Sequence, residues 1–142
     1  MTEITEATRL PLIGDPAPAF EVESTHGVIS LDSYKGKWIM LFSHPADFTP
    51  VCTTEFIAFA ESIDEFDKRN VKLIGISVDS VTDHQKWKQD IKDVTGASVQ
   101  YPMIGDEDMT AAKLYGLIHP NASGNAKSRT AADNATVGNV FV

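Results

Sequence analysis

Apolar residues along this chain fall into alternating pairs, short continuous runs and helical repeats, and each pattern predicts an element. Phe20-Glu21-Val22-Glu23 and Val28-Ile29-Ser30-Leu31 alternate apolar with polar, the period of a half-buried strand. With His26-Gly27 between them they predict a hairpin, His26 serving as a turn residue. A turn over 32–37 then leads into Trp38-Ile39-Met40-Leu41-Phe42, whose continuous apolar character predicts a buried strand. Beyond Pro50, the residues Phe56, Phe59, Ile63 and Phe66 recur at three- and four-residue steps, which marks one helix face running to near Asn70.

The second half repeats the scheme. Val71 to Val78 reads as a buried central strand, closed by Asp79-Ser80. A helix is predicted over 81–94, with Trp87, Ile91 and Val94 on its apolar side. Tyr101 to Ile104 is a short extended piece. The acidic run Asp106-Glu107-Asp108 precedes a short helix through Ala111, Ala112, Leu114 and Tyr115, with Asp108 as its expected N-cap. A solvated helix start explains that run better than a metal site. A polar stretch from His119 to Asn134 predicts a surface loop, and Ala135 to Val142 predicts a final strand. A hairpin followed by alternating strands and helices implies an α/β sandwich with a mixed sheet. Ahead of it, 1–10 read as a loose tail and 11–18 as a Pro- and Gly-rich entry segment.

Composition narrows the function. A chain of 142 residues fits one domain with a substantial core. Twelve Lys and Arg against twenty Asp and Glu give a net charge of −8, which argues against nucleic acid or an anionic membrane as partner. No apolar run reaches membrane-spanning length. The acidic, polar start from Met1 to Glu6 does not read as a signal peptide, so the cytoplasm is the expected location. A single cysteine excludes an internal disulfide, a Cys-x-x-Cys exchange site and a multi-cysteine metal site. No phosphate-cradling glycine loop is present. No cofactor and no metal is expected.

The chemistry concentrates around that cysteine. Cys52 stands in Phe42-Ser43-His44-Pro45-Ala46-Asp47-Phe48-Thr49-Pro50-Val51-Cys52-Thr53-Thr54-Glu55. Pro50 suits the first turn of a helix, where its missing N–H is no loss. Cys52 is therefore expected in the first turn of a helix that follows a strand. Unpaired N–H groups and the positive end of the helix dipole would favour thiolate over thiol. The Thr49 hydroxyl, one turn earlier, can donate to sulfur or to a bound oxygen, and Pro45 can shield the sulfur from water. Plainer readings stand beside these. A lone cysteine is commonly an inert core residue, His44 a structural histidine, Thr49 an N-cap and Glu55 a partner of the dipole.

Pro45-x-x-x-Thr49-x-x-Cys52 resembles the active-site motif of the peroxiredoxins, and Phe42 to Glu55 is similar to their 1-Cys type. The resemblance extends through Gly14 to Phe20, Lys68 to Ser80, Asp83-His84 and Tyr101-Pro102, close to the whole chain. It implies a thioredoxin-like fold and a thiol peroxidase. Cys52 would attack a hydroperoxide and become a sulfenic acid, in a pocket formed by Thr49 and Pro45. His44 and Glu55 would support the site. An external thiol would reduce the sulfenic acid, and the intact protein would form a homodimer or higher oligomer. A non-catalytic member acting as a holdase-like binding protein is the alternative.

Three departures qualify the resemblance. Family members continue into a C-terminal domain, so residues 1–142 are expected to form a peroxiredoxin domain incomplete at its C-terminus. The family's arginine on the last strand, which faces the cysteine, matches Gly138. Arg129 lies nearby, in the polar loop. The serine and histidine of the phospholipase activity that some 1-Cys relatives carry match Lys37 and Leu31, so that activity is not expected.

Overall fold

The computed structural model describes residues 10–45, 50–118 and 136–142, with 50–52 described for their backbone alone. The predicted hairpin is β1 (Glu21–Ser24) and β2 (Gly27–Ser30), paired antiparallel with Val22 opposite Ile29. The Ser24 hydroxyl staples its turn, donating to the Gly27 carbonyl at 2.7 Å and accepting from the His26 amide at 3.0 Å. Leu31 does not extend β2; it opens a 3-10 turn, Leu31–Tyr34. Then come β3 (Trp38–Ser43), α1 (Pro50–Glu61), α2 (Ile63–Lys68), β4 (Val71–Ser77), α3 (Val81–Thr95), β5 (Met103–Gly105), α4 (Thr110–Leu114) and β6 (Val140–Phe141).

The six strands form one sheet in the order β2-β1-β5-β4-β3-β6. β3, β4 and β5 run parallel, while β1 and β6 join antiparallel on either side. The chain moves in one direction across the sheet from β3 to β4 to β5. Right-handed crossovers therefore put α1, α2 and α3 on the same face. The cores agree. Phe42, Phe56, Leu73, Trp87, Ile91 and Met103 pack together on that face. Leu41, Ile74, Ile76, Ile104, Ala111 and Tyr115 pack on the other, with Phe20. The two-residue alternation of a strand separates Leu41 from Phe42.

Several boundaries differ from the sequence expectation, each for a local reason. The helix after Cys52 is interrupted at Ser62, whose ψ of 6° leaves the α region. Its apolar face nevertheless continues, since Ile63 and Phe66 join Phe59 in one core. Asn70, at φ 57°, ends α2 in the left-handed conformation that asparagine tolerates. On α3 the buried face is His84, Trp87 and Ile91, and Val94 is exposed. The last turn closes through the Thr95 hydroxyl on the Ile91 carbonyl at 2.6 Å and through Gly96 at φ 76°. Asp108 is not the N-cap of α4; Met109 takes that position, with φ 61°. Asp106 does the larger share of the capping, accepting from the Ala111 and Ala112 amides at 3.0 and 2.7 Å. Asp108 accepts from the Thr110 amide. The final strand is only Val140–Phe141, because side chains take over the pairing before it.

Candidate active site

The strand β3 delivers the chain to the site and α1 takes it away. Pro50 opens α1, so Cys52 is its third residue, within the turn whose amides have no partner in the helix. The sequence expectation for its backbone is met. Thr49 and Arg129 lie outside the described residues. Pro45 is exposed where the chain leaves β3, and Glu55 is exposed on α1.

His44 is buried to 1 % exposure. Its amide continues the parallel ladder, donating to the Ile76 carbonyl at 3.1 Å. Its ring lies 4.8 Å from Phe56, 5.2 Å from Trp87 and 5.9 Å from His84, centroid to centroid. His84 is itself fully buried, one ring nitrogen 2.9 Å from the Ile104 carbonyl. The two histidines thus join an aromatic cluster under the start of α1.

That cluster fixes α1 against the sheet. Phe56 packs on Phe42 at 5.1 Å and on Trp87 at 4.7 Å. Gly75 makes room for it: a Cβ there would stand 3.1 Å from the Phe56 ring. Tyr101 donates its hydroxyl to the Phe56 carbonyl at 3.2 Å, and burial pushes its phenol well above the ordinary range. From α3, the Trp87 indole N–H reaches the Thr53 hydroxyl at 3.1 Å, one residue beyond Cys52.

A second set of bonds fixes the other side of β3. The Ser43 hydroxyl donates to the carbonyls of Val137 and Asn139 and accepts from the Asn139 amide. The Ser43 amide donates to Asn139 at 2.9 Å, and the Thr136 hydroxyl to the His44 carbonyl at 2.6 Å. Gly138 therefore lies in a bonded segment beside the end of β3, not on a strand as expected. The hydroxyls of Ser43 and Thr136 replace ladder bonds there, as short polar side chains do. A Cβ on Gly138 would meet no atom of the described residues within 4 Å. Nothing in the sequence pattern marks Ser43, Thr53, Trp87 or Thr136 as site residues. Trp87 read only as core, and its polar edge gives no periodic signal.

No described helix is long and apolar enough to cross a membrane. Among the described residues, no group of three or more His, Cys, Asp or Glu could hold a metal ion.

Residues 13–137 match the AhpC/TSA family. A peroxiredoxin of Aquifex aeolicus is 55 % identical over 119 residues, covering 83 % of this chain and 54 % of its own length. Peroxiredoxin 2 of Caldanaerobacter subterraneus is 57 % identical over 111 residues, covering 78 % of this chain and 50 % of its own. The chain thus spans about half the length of the curated relatives it matches. Among solved structures, a yeast mitochondrial 1-Cys peroxiredoxin, studied for thiol resolution via glutathione and thioredoxin systems, superposes with a TM-score of 0.70 at 41 % identity. It covers 89 % of this chain and 65 % of that one. A cysteine-to-serine mutant of the peroxiredoxin 6 of Arenicola marina gives a TM-score of 0.76 at 39 % identity, over 90 % of this chain and 57 % of that one. Strand order, the helix start at Cys52 and these matches lead to one assignment: the chain belongs to the AhpC/TSA family, the peroxiredoxins, and has their thioredoxin-like fold.

Proposed function

We propose that this chain carries the peroxidatic half-reaction of a 1-Cys thiol peroxidase. The observation that carries the reading is Cys52 in the first turn of α1, the helix that follows β3 in the chain. The helix start favours the thiolate, which is the nucleophile. The thiolate attacks the terminal oxygen of hydrogen peroxide or an organic hydroperoxide. An S–O bond forms, the O–O bond breaks, and the leaving oxygen takes a proton to become water or an alcohol. Sulfur is oxidised to the sulfenic acid and the peroxide is reduced. Thr49 would donate to the reacting oxygens and Pro45 would limit water at the sulfur. His44 and Glu55 would support the loop and the helix start.

Cys52 is the one cysteine within these 142 residues, and an external thiol would attack the sulfenic sulfur and release water. A second thiol equivalent would then free Cys52. The yeast relative's resolution by glutathione and thioredoxin systems supports a small or protein thiol as reductant. A cytoplasmic homodimer or higher oligomer is the expected working form, with roles in peroxide defence and cell redox homeostasis. Gly138, where the family pattern has arginine, would leave the rate below that of an arginine-bearing site, since a fixed guanidinium stabilises developing negative charge.

The test is a brief peroxide pulse followed by mass spectrometry. Cys52 is expected to reach the sulfenic acid well before free cysteine at the same pH, and Cys52→Ser to abolish peroxide consumption. A thiol that stays unmodified after free cysteine has reacted would overturn the peroxidase reading and favour a binding role.

A further inference from the structure

The geometry points to Trp87 as a positioning residue that holds both ends of the segment carrying Cys52. The inference rests on the peroxidase reading and concerns how the same site is held. Residues 45–52 run from the end of β3 into α1. Immediately before them stands His44, whose ring lies 5.2 Å from the Trp87 ring. Immediately after them stands Thr53, whose hydroxyl accepts the Trp87 indole N–H at 3.1 Å. Trp87 is 1 % exposed and also packs on Phe56, 4.7 Å away. One rigid side chain on α3 thus touches the residue entering the loop and the residue leaving it.

The chemical consequence follows from position. The effect of a helix start on a thiol falls off within its first turn. A nucleophile displaced by about 1 Å can lose a large share of its rate. Thr53 is covalently next to Cys52, so holding its side chain limits how the first turn of α1 can shift or fray. His44 is held independently through its amide to Ile76 and its carbonyl to Thr136. Trp87 adds a common support for both sides.

A tryptophan that only filled the core would act through ring volume. The N–H separates the two roles. Trp87→Phe keeps a ring and loses the donor; Thr53→Val keeps the volume and loses the acceptor; Thr53→Ser keeps the acceptor. Trp87→Phe and Thr53→Val should each slow Cys52 oxidation about three- to tenfold, as expected for one neutral hydrogen bond. Each should also shift the pH profile of Cys52 alkylation by iodoacetamide upward. Thr53→Ser should stay near the natural protein. The double variant Trp87→Phe/Thr53→Val should be no slower than the slower single, because both remove the same bond. Thr53→Val matching the natural protein in rate and alkylation profile, or additive effects in the double variant, would overturn the inference. If Cys52 of the natural protein reacts with peroxide no faster than free cysteine, the peroxidase reading fails, and the alkylation profile still decides the tether.

Discussion

The two faces of the sheet are built from different materials. The face under α1, α2 and α3 is aromatic: Phe42, Phe56, Phe59, Trp87 and Tyr101 meet there with His44. The opposite face is mainly aliphatic around Ile74, Ile76 and Ile104. A groove of about 220 Å³ opens on it between Phe20, Trp38, Leu41, Tyr115 and Phe141. Large rings reach across elements distant in sequence and carry polar edges that bond specific atoms. The face that holds His44 and Thr53, on either side of the segment with Cys52, is the one built from them. Aliphatic packing supplies burial with less directional constraint.

Paired truncations would break or sharpen that contrast. Phe56→Ala should cost about 3–5 kcal/mol in urea unfolding, since a fully buried ring leaves a cavity in a rigid cluster. Phe141→Ala on the open face should cost about 1 kcal/mol, because its ring is only partly buried against Tyr115. Equal losses would mean that the two faces are equally tight.

Gly138 lies at the seam beside the end of β3. A Cβ on Gly138 meets no described atom within 4 Å, so Gly138→Arg starts without a clash at its first side-chain atom. It should raise the Cys52 peroxide rate by up to roughly 100-fold, the size of one preorganised donor, and lower the Cys52 pKa with it. The measurement is stopped-flow oxidation beside a pH titration of alkylation. A folded variant with both quantities unchanged would show that Gly138 does not stand where the family arginine acts.

Gly75→Ala probes the aromatic face more finely. The new methyl would meet the Phe56 ring at 3.1 and 3.2 Å and the Phe42 ring at 3.5 Å. Overpacking of this kind costs about 1–3 kcal/mol. The displaced Phe56 should also slow Cys52 oxidation, because the same helix carries both residues. A stable variant with an unchanged rate would uncouple the cluster from the site.

The sequence made the alternation of elements legible because the apolar periods at Phe56–Phe66 and Val71–Val78 are strong. It also placed Cys52 at a helix start, since Pro50 has few other roles there. What it hid were bonds made by polar atoms of residues that read as something else. Trp87 counted as an apolar residue, so its N–H on Thr53 left no periodic trace. His84 interrupts the apolar pattern of α3 although it is fully buried, and Val94 continues that pattern on a face the helix does not bury. Ser43 and Thr136 bond across 94 and 92 residues of sequence, a distance that local pattern does not reach. Asp106 and Asp108 were equivalent as letters, and only the φ of Met109 decided which one caps α4.

Asp106 provides the smallest effect, a slope in pH on the aliphatic face. Its carboxylate is 2 % exposed and caps α4 through the amides of Ala111 and Ala112. Burial pushes its pKa up from the ordinary 3.8; the two amides pull it down, and nearby Asp108 pushes it up again, leaving a net rise. A carboxyl with a raised native pKa binds its proton more tightly when folded than when unfolded. Its contribution is therefore fully present below the unfolded value and is lost as pH rises through the native one. Asp106→Asn carries no such proton, and other carboxylates cancel in the difference between the two proteins. The stability advantage of the natural protein over Asp106→Asn should shrink as pH rises above the ordinary aspartate value, read from urea midpoints between about pH 4 and about pH 7. An advantage that grows with pH would mean that the two amide donors outweigh burial. Asp106 would then cap α4 as a fully ionised group, with its native pKa below the unfolded one.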